Sequence, residues 1–545
     1  MDKRTLMALV LSFLVFLVWS LLFGPEPKKT QEADRPTYEV DEPKQTPKEE
    51  PIMPDSKAEP VFEHEKDFKD ITVETDLYIA VLSGSGPIIK SFKLKNYRSD
   101  LDKDSPLKEL ISTKNNDGGG FFVGFSGEDL SLLSDYKYSF NGKDIAIKKG
   151  DGPGEVVYRW MSLKGLDIQI KVRFFGDDYK IGLLAIIDNG SEKSLDTNLS
   201  LNLSHFPLRT KRGYGVFEGM GLYSNGNLEQ IDLKKIKDKQ YSENITWVAY
   251  EEPYFIKAIV NEESQKAFAK GVTLPNGEIN ISYIPFLKVN PGEARTDEFT
   301  LFFGPKDISV LKSLDSKLEK SIYFGWFDVI AKPILYALRF INKYVSNYGV
   351  SIIIVTIIIK ILFWPLTHKS YQSMKEMRKL QPMMAKIREK YKNNKQEMQK
   401  QLMNLYKTYK INPMGGCLPM IVQIPVFFAL YKVLPGSIEL RHAPFFLWIK
   451  DLSAPDRLFS FPFQIPFMSP PYGIPVLTLI MGASMFLQQK MTPVAGDPAQ
   501  AKMMMFLPII FTFLFINFPS GLVLYWLVNN LLSIAQQYRI NKQIS

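Results

Sequence analysis

The sequence predicts a multi-domain membrane protein with six transmembrane α-helices, a large β-sandwich outside the membrane and an antiparallel coiled-coil hairpin. Three features of the 545-residue chain lead to this fold class. One apolar run lies near the N-terminus, and five more fall in the last 200 residues. The polar region between them shows the alternating apolar residues of half-buried strands.

The first 24 residues are predicted to form a transmembrane anchor. Lys3 and Arg4 precede an apolar run from Leu6 to Phe23 that is long enough to span a bilayer. A cleavable signal peptide is the alternative, but its apolar core would be shorter and would end in small residues. Positive flanks stay in the cytosol, so the chain leaves the cytosol here. Residues 25–60 are rich in Pro, Glu and Lys and are predicted to be a disordered tether.

Residues 61–320 are predicted to form the β-sandwich. From Leu166 to Phe174, apolar and polar residues alternate with a period of two, as in a strand with one buried face. Turn sequences such as Asn276-Gly277 separate similar runs. The run Gly118–Gly120 lacks the lysine and hydroxyl of a phosphate loop, and no nucleophile motif is present. The domain is therefore interpreted as a binding or scaffold module, and the chain is not expected to be an enzyme.

A lysine, Lys360, lies inside the apolar run that makes residues 348–368 the second predicted span. Each surrounding isoleucine contributes about −0.3 to −0.6 kcal/mol to insertion, which together outweighs the roughly +3 kcal/mol cost of a central lysine. Two interpretations stay open. Lys360 could extend its flexible stem toward the nearer headgroups, or it could face a hydrated cavity inside a helix bundle.

Two amphipathic segments flank this span. Residues 321–347 are predicted to form a helix that lies in the membrane interface or, alternatively, packs on the sandwich. Residues 369–411 are predicted to form a cytosolic hairpin of two helices packed as an antiparallel coiled coil. From Lys369 to Lys410 there are 12 Lys and Arg against 3 Glu. This charge either only sets the orientation of the chain or provides a surface for anionic lipid headgroups or ribosomal RNA.

Residues 412–545 are predicted to contain four more spans, with both chain termini in the cytosol. Several hold only about 15 to 18 apolar residues, so local thinning of the bilayer is expected. Polar residues on the spans, most of them at helical spacing but Gln423 and Thr512 singly, are candidates for lining a hydrophilic site, although hydrogen bonds between packed helices would explain any one pair equally well. These residues are Thr356, Lys360, Gln423, Ser484, Gln488, Thr512, Tyr525, Asn529 and Ser533.

The predicted spans of the last 200 residues contain no Asp or Glu. A lysine without a buried salt-bridge partner needs water, which favours a cavity open to at least one aqueous side. A proton or ion relay would need intramembrane carboxylates, so a small-solute transporter is retained only as the alternative function. One cysteine and four scattered histidines predict no disulfide, no metal site and no cofactor.

Six stretches of the sequence carry a family resemblance. They are PLTHKSYQSM, LQPMMAKIREKY, INPMGGCLPMIVQIPVFFALY, FFLWIKDLSAPD, MFLQQKM and FPSGLVLYWLVNNLLSIAQQ. In this order they resemble the YidC membrane protein insertases of Gram-negative bacteria, which belong to the wider YidC/Oxa-type group. The resemblance extends over the anchor, the β-domain, the amphipathic helix and the five-helix core.

The resemblance implies a function: inserting nascent proteins into the bacterial inner membrane and helping them fold, alone or with the Sec translocon. It implies that the β-domain is a periplasmic supersandwich like that of sugar mutarotases. It also implies a substrate groove open to the cytosol and the lipid, in which Lys360 replaces an arginine, Thr356 matches a threonine, and Trp526 replaces the second residue of a tyrosine pair. The expected partners are nascent membrane proteins, the Sec translocon, the ribosome and signal recognition pathway, and anionic lipids.

Overall fold

The structure, a computed structural model, describes residues 69–113, 120–126, 136–207, 216–236, 238–261, 266–409, 418–491 and 498–542. The predicted anchor (1–24) and tether (25–60) lie outside these residues. Within them, the chain is rich in β-strands up to Pro305 and mainly helical after it.

The β-rich part consists of two mainly antiparallel sheets. Among the described strands, β1 and β7 form the single parallel pair. The strands are β1 (Ile71–Thr75), β2 (Tyr78–Leu82), β3 (Ile88–Arg98), β4 (Leu107–Ser112), β5 (Phe121–Ser126), β6 (Tyr136–Asn141), β7 (Ile145–Ile147), β8 (Gly154–Ser162), β9 (Leu166–Phe174), β10 (Lys180–Asn189), β11 (Leu195–His205), β12 (Gly219–Ser224), β13 (Asn227–Asp232), β14 (Lys239–Glu251), β15 (Phe255–Val260), β16 (Lys266–Thr273), β17 (Ile279–Val289) and β18 (Ala294–Pro305). The first sheet has the order β7-β1-β2-β3-β5-β11-β17-β16-β14, with β4 also paired to β3. The second has the order β6-β8-β9-β10-β18-β15-β14-β12-β13.

One long strand, β14, belongs to both sheets. Its residues from Lys239 to Asn244 pair with β16 in the first sheet. From Ile245 onward it pairs with β12 and β15 in the second sheet. A strand that changes sheets in this way joins the two layers at one edge, as at the corners of other double-layered β-folds.

The core lies between the two sheets, as the sequence predicts for strands with one buried face. In β9, the alternating run from Leu166 to Phe174, every second side chain is buried. Large aromatic residues such as Trp160 on β8 and Trp247 on β14 are fully buried. Each such side chain stabilises the fold by about 1.5 to 3 kcal/mol relative to an exposed one. The predicted β-rich domain is therefore confirmed.

A charged group is nevertheless buried in this domain. Lys257 on β15 donates a hydrogen bond from Nζ to the Leu110 carbonyl at 3.1 Å, and its Nζ lies 2.7 Å from Nδ1 of His205. Burial lowers the pKa of Lys257 to about 7. Glu252 forms a salt bridge of 3.0 Å with Lys108. Burial acts to raise the pKa of Glu252, but the charges of Lys108, His205 and Lys257 lower it to about 2.

The helical part begins after β18. Its helices are α1 (Ile308–Ser313), α2 (Asp328–Val345), α3 (Tyr348–Leu362), α4 (Trp364–Lys390), α5 (Lys395–Thr408), α6 (Leu418–Gly436), α7 (Val476–Met491), α8 (Pro498–Phe515) and α9 (Ser520–Lys542), and a hairpin of β19 (Leu458–Phe461) and β20 (Tyr472–Ile474) precedes α7. Among the described residues no single helix is long and apolar enough to cross a membrane, although α3 and α4 together, bent by 65°, meet that requirement.

The structure divides the predicted second span, residues 348–368, into two helices. α3 ends at Leu362, and the chain bends by 65° before α4 begins at Trp364. Pro365 accounts for this break, because it has no N–H to donate to the carbonyl of Ile361 and its ring crowds the preceding turn. The expectation of one continuous helix as far as His368 is therefore corrected.

α4 and α5 occupy the segment predicted as a hairpin, but α4 starts earlier and its first turns pack on α9. Tyr371 and Met374 form a small apolar cluster with Ile540 of α9. Farther along, the hydroxyl of Tyr406 on α5 contacts the sulfur of Met384 on α4 at 3.7 Å. The base of the helix pair is thus fixed to α9, and most of its charge lies beyond that base.

α2 occupies part of residues 321–347, where an amphipathic helix is predicted. One face buries Ile334, Leu335 and Leu338 against α3 and α6. On another face Val329 and Phe340 are exposed. The helix is therefore attached to the helical part while still presenting apolar side chains outward.

The β-domain touches the helical part through two arginines. Arg339 of α2 lies 3.3 Å from a carboxylate oxygen of Asp307, at the end of the β-domain. Arg441, after α6, donates to the carbonyls of Arg98 at 2.6 Å and Ser99 at 3.0 Å. These contacts give the β-domain a direct attachment to the helices.

The pKa of Lys257 leads to a prediction for the pH dependence of folding. Between pH 7 and 10.5 the native lysine is neutral while the unfolded lysine still holds its proton, so the free energy of unfolding should rise with pH in this window. Lys257→Met should reduce that rise, whereas Lys288→Met, which replaces an exposed lysine on β17, should leave it intact. Thermal unfolding of the full chain in detergent across this window measures both, and an unchanged pH dependence in Lys257→Met would contradict the argument.

Candidate functional site

α9 carries a stripe of polar residues that faces its neighbouring helices. Tyr525, Asn529 and Ser533 follow one another at intervals of four, which places them on one face of the helix. All three are buried. Of these, Asn529 and Ser533 lie next to Lys360 of α3.

The ammonium of Lys360 is held by two oxygen atoms of α9. Its Nζ donates to the hydroxyl of Ser533 at 2.6 Å and to the amide oxygen of Asn529 at 3.3 Å. Lys360 is only 5% exposed. Within the described ranges, no carboxylate forms a salt bridge with it. Dipoles alone compensate its burial, which leaves the charge incompletely stabilised and argues against a side chain extended toward headgroups.

Gln423 of α6 completes this group. Its Nε2 donates to Oδ1 of Asn529 at 3.0 Å, and Nδ2 of Asn529 donates back to Oε1 of Gln423 at 3.2 Å. Oδ1 of Asn529 therefore accepts hydrogen bonds from both Gln423 and Lys360. These four side chains, Lys360, Gln423, Asn529 and Ser533, link α3, α6 and α9 and are called the lysine cluster below.

Two residues expected in the same site have other contacts. The hydroxyl of Thr356, one turn before Lys360, is buried and donates to the carbonyl of Ile352 at 2.6 Å, so it serves its own helix. Trp526 packs edge to face on Phe427, with 4.9 Å between ring centroids, and lies 5.2 Å from the ring of Phe515. Trp526 thus belongs to an aromatic cluster of α6, α8 and α9.

The candidates on α7 and α8 form a separate set of helix contacts. The hydroxyl of Ser484 accepts a hydrogen bond from Nδ2 of Asn530 at 3.0 Å. Thr512 donates to the carbonyl of Pro508 at 2.8 Å and lies against Gly482. Gln488 is half-buried on α7. Ser484 and Thr512 therefore join α7 to its neighbours, as expected from interhelical packing.

The structure adds polar residues that sequence reasoning missed. Thr367, in the first turn of α4, accepts a hydrogen bond from Nε2 of Gln536 at 3.0 Å. On α9, Asn530 faces Ser484. Two turns farther along, Gln537 donates a hydrogen bond to the carbonyl of Met491 at 3.0 Å. The spacing of Asn530 and Gln537, seven residues apart, was the available signal for a second polar face.

The loop between α6 and α7 covers the end of the bundle where α3 and α9 begin. Asp456 accepts hydrogen bonds from the backbone N–H groups of Leu477 and Thr478 and from the indole of Trp448, and so caps the start of α7. Burial raises the pKa of Asp456, and these hydrogen bonds act in the opposite direction. In the same loop, the ring of Phe445 packs so closely on Gly349 that a Cβ there would lie 2.0 Å from it. The loop therefore covers this end of the helix bundle.

Matches to two protein families show the class of protein to which this chain belongs. A family described as the 60Kd inner membrane protein matches residues 340–545, and one described as the YidC periplasmic domain matches residues 70–337. Both are parts of an inner membrane protein with a periplasmic domain.

Relatives over the full length then define the family. The chain is 44% identical to a membrane protein insertase YidC of Pelobacter propionicus and 41% identical to one of Geotalea uraniireducens, each covering all of both chains. The chain belongs to the YidC family. A crystal structure of an active YidC insertase with its first transmembrane domain resolved is 19% identical, covers 88% of this chain and 95% of its own, and has a TM-score of 0.37.

The close contact of α7 with α8 leads to a packing prediction. A Cβ on Gly482 would lie 2.1 Å from Oγ1 of Thr512, so Gly482→Ala should destabilise the protein by about 1 to 3 kcal/mol through overpacking. Thr512→Ala removes that oxygen and should recover most of the loss when combined with Gly482→Ala. Thermal unfolding of the two single variants and the double variant in detergent measures the coupling. Additive effects would show that the two residues do not meet.

Proposed function

We propose that this chain inserts newly made proteins into the inner membrane and assists their folding, alone or beside the Sec translocon. Full-length identity to proteins named membrane protein insertases supports this function. The lysine cluster is the observation that carries the mechanism, because it places a cation among polar side chains between otherwise apolar helices.

The mechanism that these contacts support is physical and needs no covalent step. A charge held by dipoles alone attracts an anion, so Lys360 would favour a substrate segment that carries Asp or Glu. A polar pocket also lowers the desolvation cost of moving a short hydrophilic segment into the bilayer. Because the loop around Asp456 closes one end of the bundle, the segment would enter from the opposite end. The apolar span of the substrate would then leave sideways into lipid.

The topology of this proposal has six spans with both termini in the cytosol, counting the N-terminal anchor. α3, α6, α7, α8 and α9 would provide the other five, and their short apolar lengths would thin the bilayer locally. The exposed apolar face of α2 would lie at the periplasmic interface. α4 and α5 would form the cytosolic coiled-coil hairpin. Its basic surface is suited to anionic lipids or to the RNA of a ribosome that delivers the substrate.

The proposal predicts an effect of Lys360 on acidic substrates. Lys360→Ala should reduce insertion of a substrate whose translocated segment carries Asp or Glu by about fivefold, the factor for about 1 kcal/mol of hydrated charge attraction. Lys360→Arg should retain insertion, because the charge remains and a cavity of about 230 Å³ adjoins the side chain. Insertion of paired substrates, acidic and neutralised, into vesicles that contain each variant gives the measurement.

A loss of activity in Lys360→Ala is assigned to function if thermal unfolding in detergent shows that the variant is as stable as the parent. The substitution removes about 3 kcal/mol of insertion cost, and Asn529 and Ser533 keep hydrogen bonds to Gln423 and within α9. Lys490→Ala, which removes a lysine at the end of α7, is the matched control. Equal insertion of the acidic substrate by Lys360→Ala and the parent would refute the proposed role of Lys360.

The charge of the hairpin provides a second test. Replacing the exposed Lys386, Lys390 and Lys392 with Gln should weaken insertion, because each lysine near an anionic surface contributes about 1 kcal/mol of attraction. The base of α4, which packs on α9, stays intact in this variant. Replacing three exposed lysines of the β-domain, at positions 103, 149 and 193, with Gln gives a control variant that has the same net charge. If both triple variants insert equally well, the hairpin charge sets orientation only.

A further inference from the structure

A cavity of about 230 Å³ lies between α3 and α9, and of the lysine cluster only Lys360 lines it. On α3 it is lined by Ile357, Lys360 and Ile361, and Trp364 lines it from the start of α4. α9 contributes Leu532, Ala535, Gln536 and Arg539. The spacing on α3 is that of one helix face, so two aligned helix faces form the walls. Ile361 is 64% exposed, which shows that the cavity opens sideways to the outside of the bundle.

The two ends of this cavity differ chemically. Ile357, Ile361 and Leu532 form an apolar wall. Trp364 and Arg539 lie at the end where α3 terminates and α9 approaches its C-terminus. The polar atoms of Gln536 at this end are already hydrogen-bonded to Thr367. At this end of the cavity, Arg539 is therefore the residue whose hydrogen-bond donors can bind a ligand.

The charge in the cavity lacks a counter-ion. Arg539 is exposed, and in the part of the chain that the structure describes neither it nor Lys360 forms a salt bridge. No Asp or Glu lines the cavity. Because Lys360 already binds Asn529 and Ser533, Arg539 is the cation that can bind an anion here, and a guanidinium binds phosphate in a bidentate manner. A free phosphate would not use the apolar wall, whereas a phospholipid would use both parts.

We infer that this cavity binds one anionic phospholipid, with its phosphate on Arg539 and an acyl chain along Ile357, Ile361 and Leu532. The indole of Trp364 lies at the boundary between the two, which is where indole rings sit in bilayers. Basic pockets between spanning helices near the cytosolic surface suit this class of lipid. The position of the cavity at a bilayer surface rests on the topology proposed above.

Quenching of Trp364 fluorescence by brominated lipids tests this site in the full chain reconstituted in vesicles. The quenching of each variant is measured with and without Trp364→Phe, and the difference between the two is the signal of Trp364. Brominated phosphatidylglycerol should be preferred over brominated phosphatidylcholine by about fivefold, the ratio for about 1 kcal/mol from one cation at an anionic lipid. Arg539→Gln should bring this ratio close to one. Lys490→Gln, which removes an exposed lysine at the end of α7, should leave it unchanged.

Three results would overturn the inference. One is equal quenching by both lipids in the parent, and another is an equal loss of preference in Lys490→Gln and Arg539→Gln. The third is competition by inorganic phosphate beyond the screening caused by sodium chloride at the same ionic strength, which would assign the site to a free anion. The assay contains no substrate, so its failure leaves the proposed insertion function untouched.

Discussion

The burial of the Lys360 ammonium between apolar helices is the constraint on which the helical part depends. No described carboxylate compensates this charge, so the surrounding helices must supply oxygen atoms. Ser533 and Asn529 do so from α9, and Gln423 orients Asn529 from α6. The relative positions of α3, α6 and α9 are thus linked to one cation. Because these partners are neutral dipoles, the ammonium can exchange them for an anionic group of a substrate. A salt bridge within the protein would prevent that exchange.

The remainder of the chain supports this cluster from both ends. At one end, Asp456 caps α7 and Phe445 packs on Gly349, which covers that end of the bundle. At the other end, the break at Pro365 turns α4 away from α3, and Tyr371 and Met374 attach it to α9. The proposed entry of a substrate from this second end agrees with the position of the charged hairpin there.

The sequence predicts these features unevenly, for physical reasons. Alternation in Leu166 to Phe174 sufficed for β9, because a strand between a core and solvent has that period. The crossing of β14 between two sheets depends on contacts distant in sequence and leaves no local pattern. The spacing of Asn529 and Ser533 predicted that they share one helix face, but their contact with Lys360 appears only in the structure. The hydrogen bond of Thr356 to its own helix depends on the side-chain rotamer, and the packing of Trp526 depends on its aromatic neighbours. Residue spacing encodes neither. Pro365 was a local signal for the helix break.

The proposed function requires that the pocket at Lys360 is hydrated and open to one aqueous side. Replacing Cys417, the only cysteine, with Ser permits a direct measurement. Lys360→Cys and Ile358→Cys, the latter at a position 53% exposed on the outside of α3, are then labelled with a small charged thiol reagent in inside-out membrane vesicles. Because only a thiolate in contact with water reacts, Lys360→Cys should be labelled many times faster than Ile358→Cys. Equal, slow labelling at both positions, with normal labelling of Lys386→Cys on the hairpin, would contradict the account.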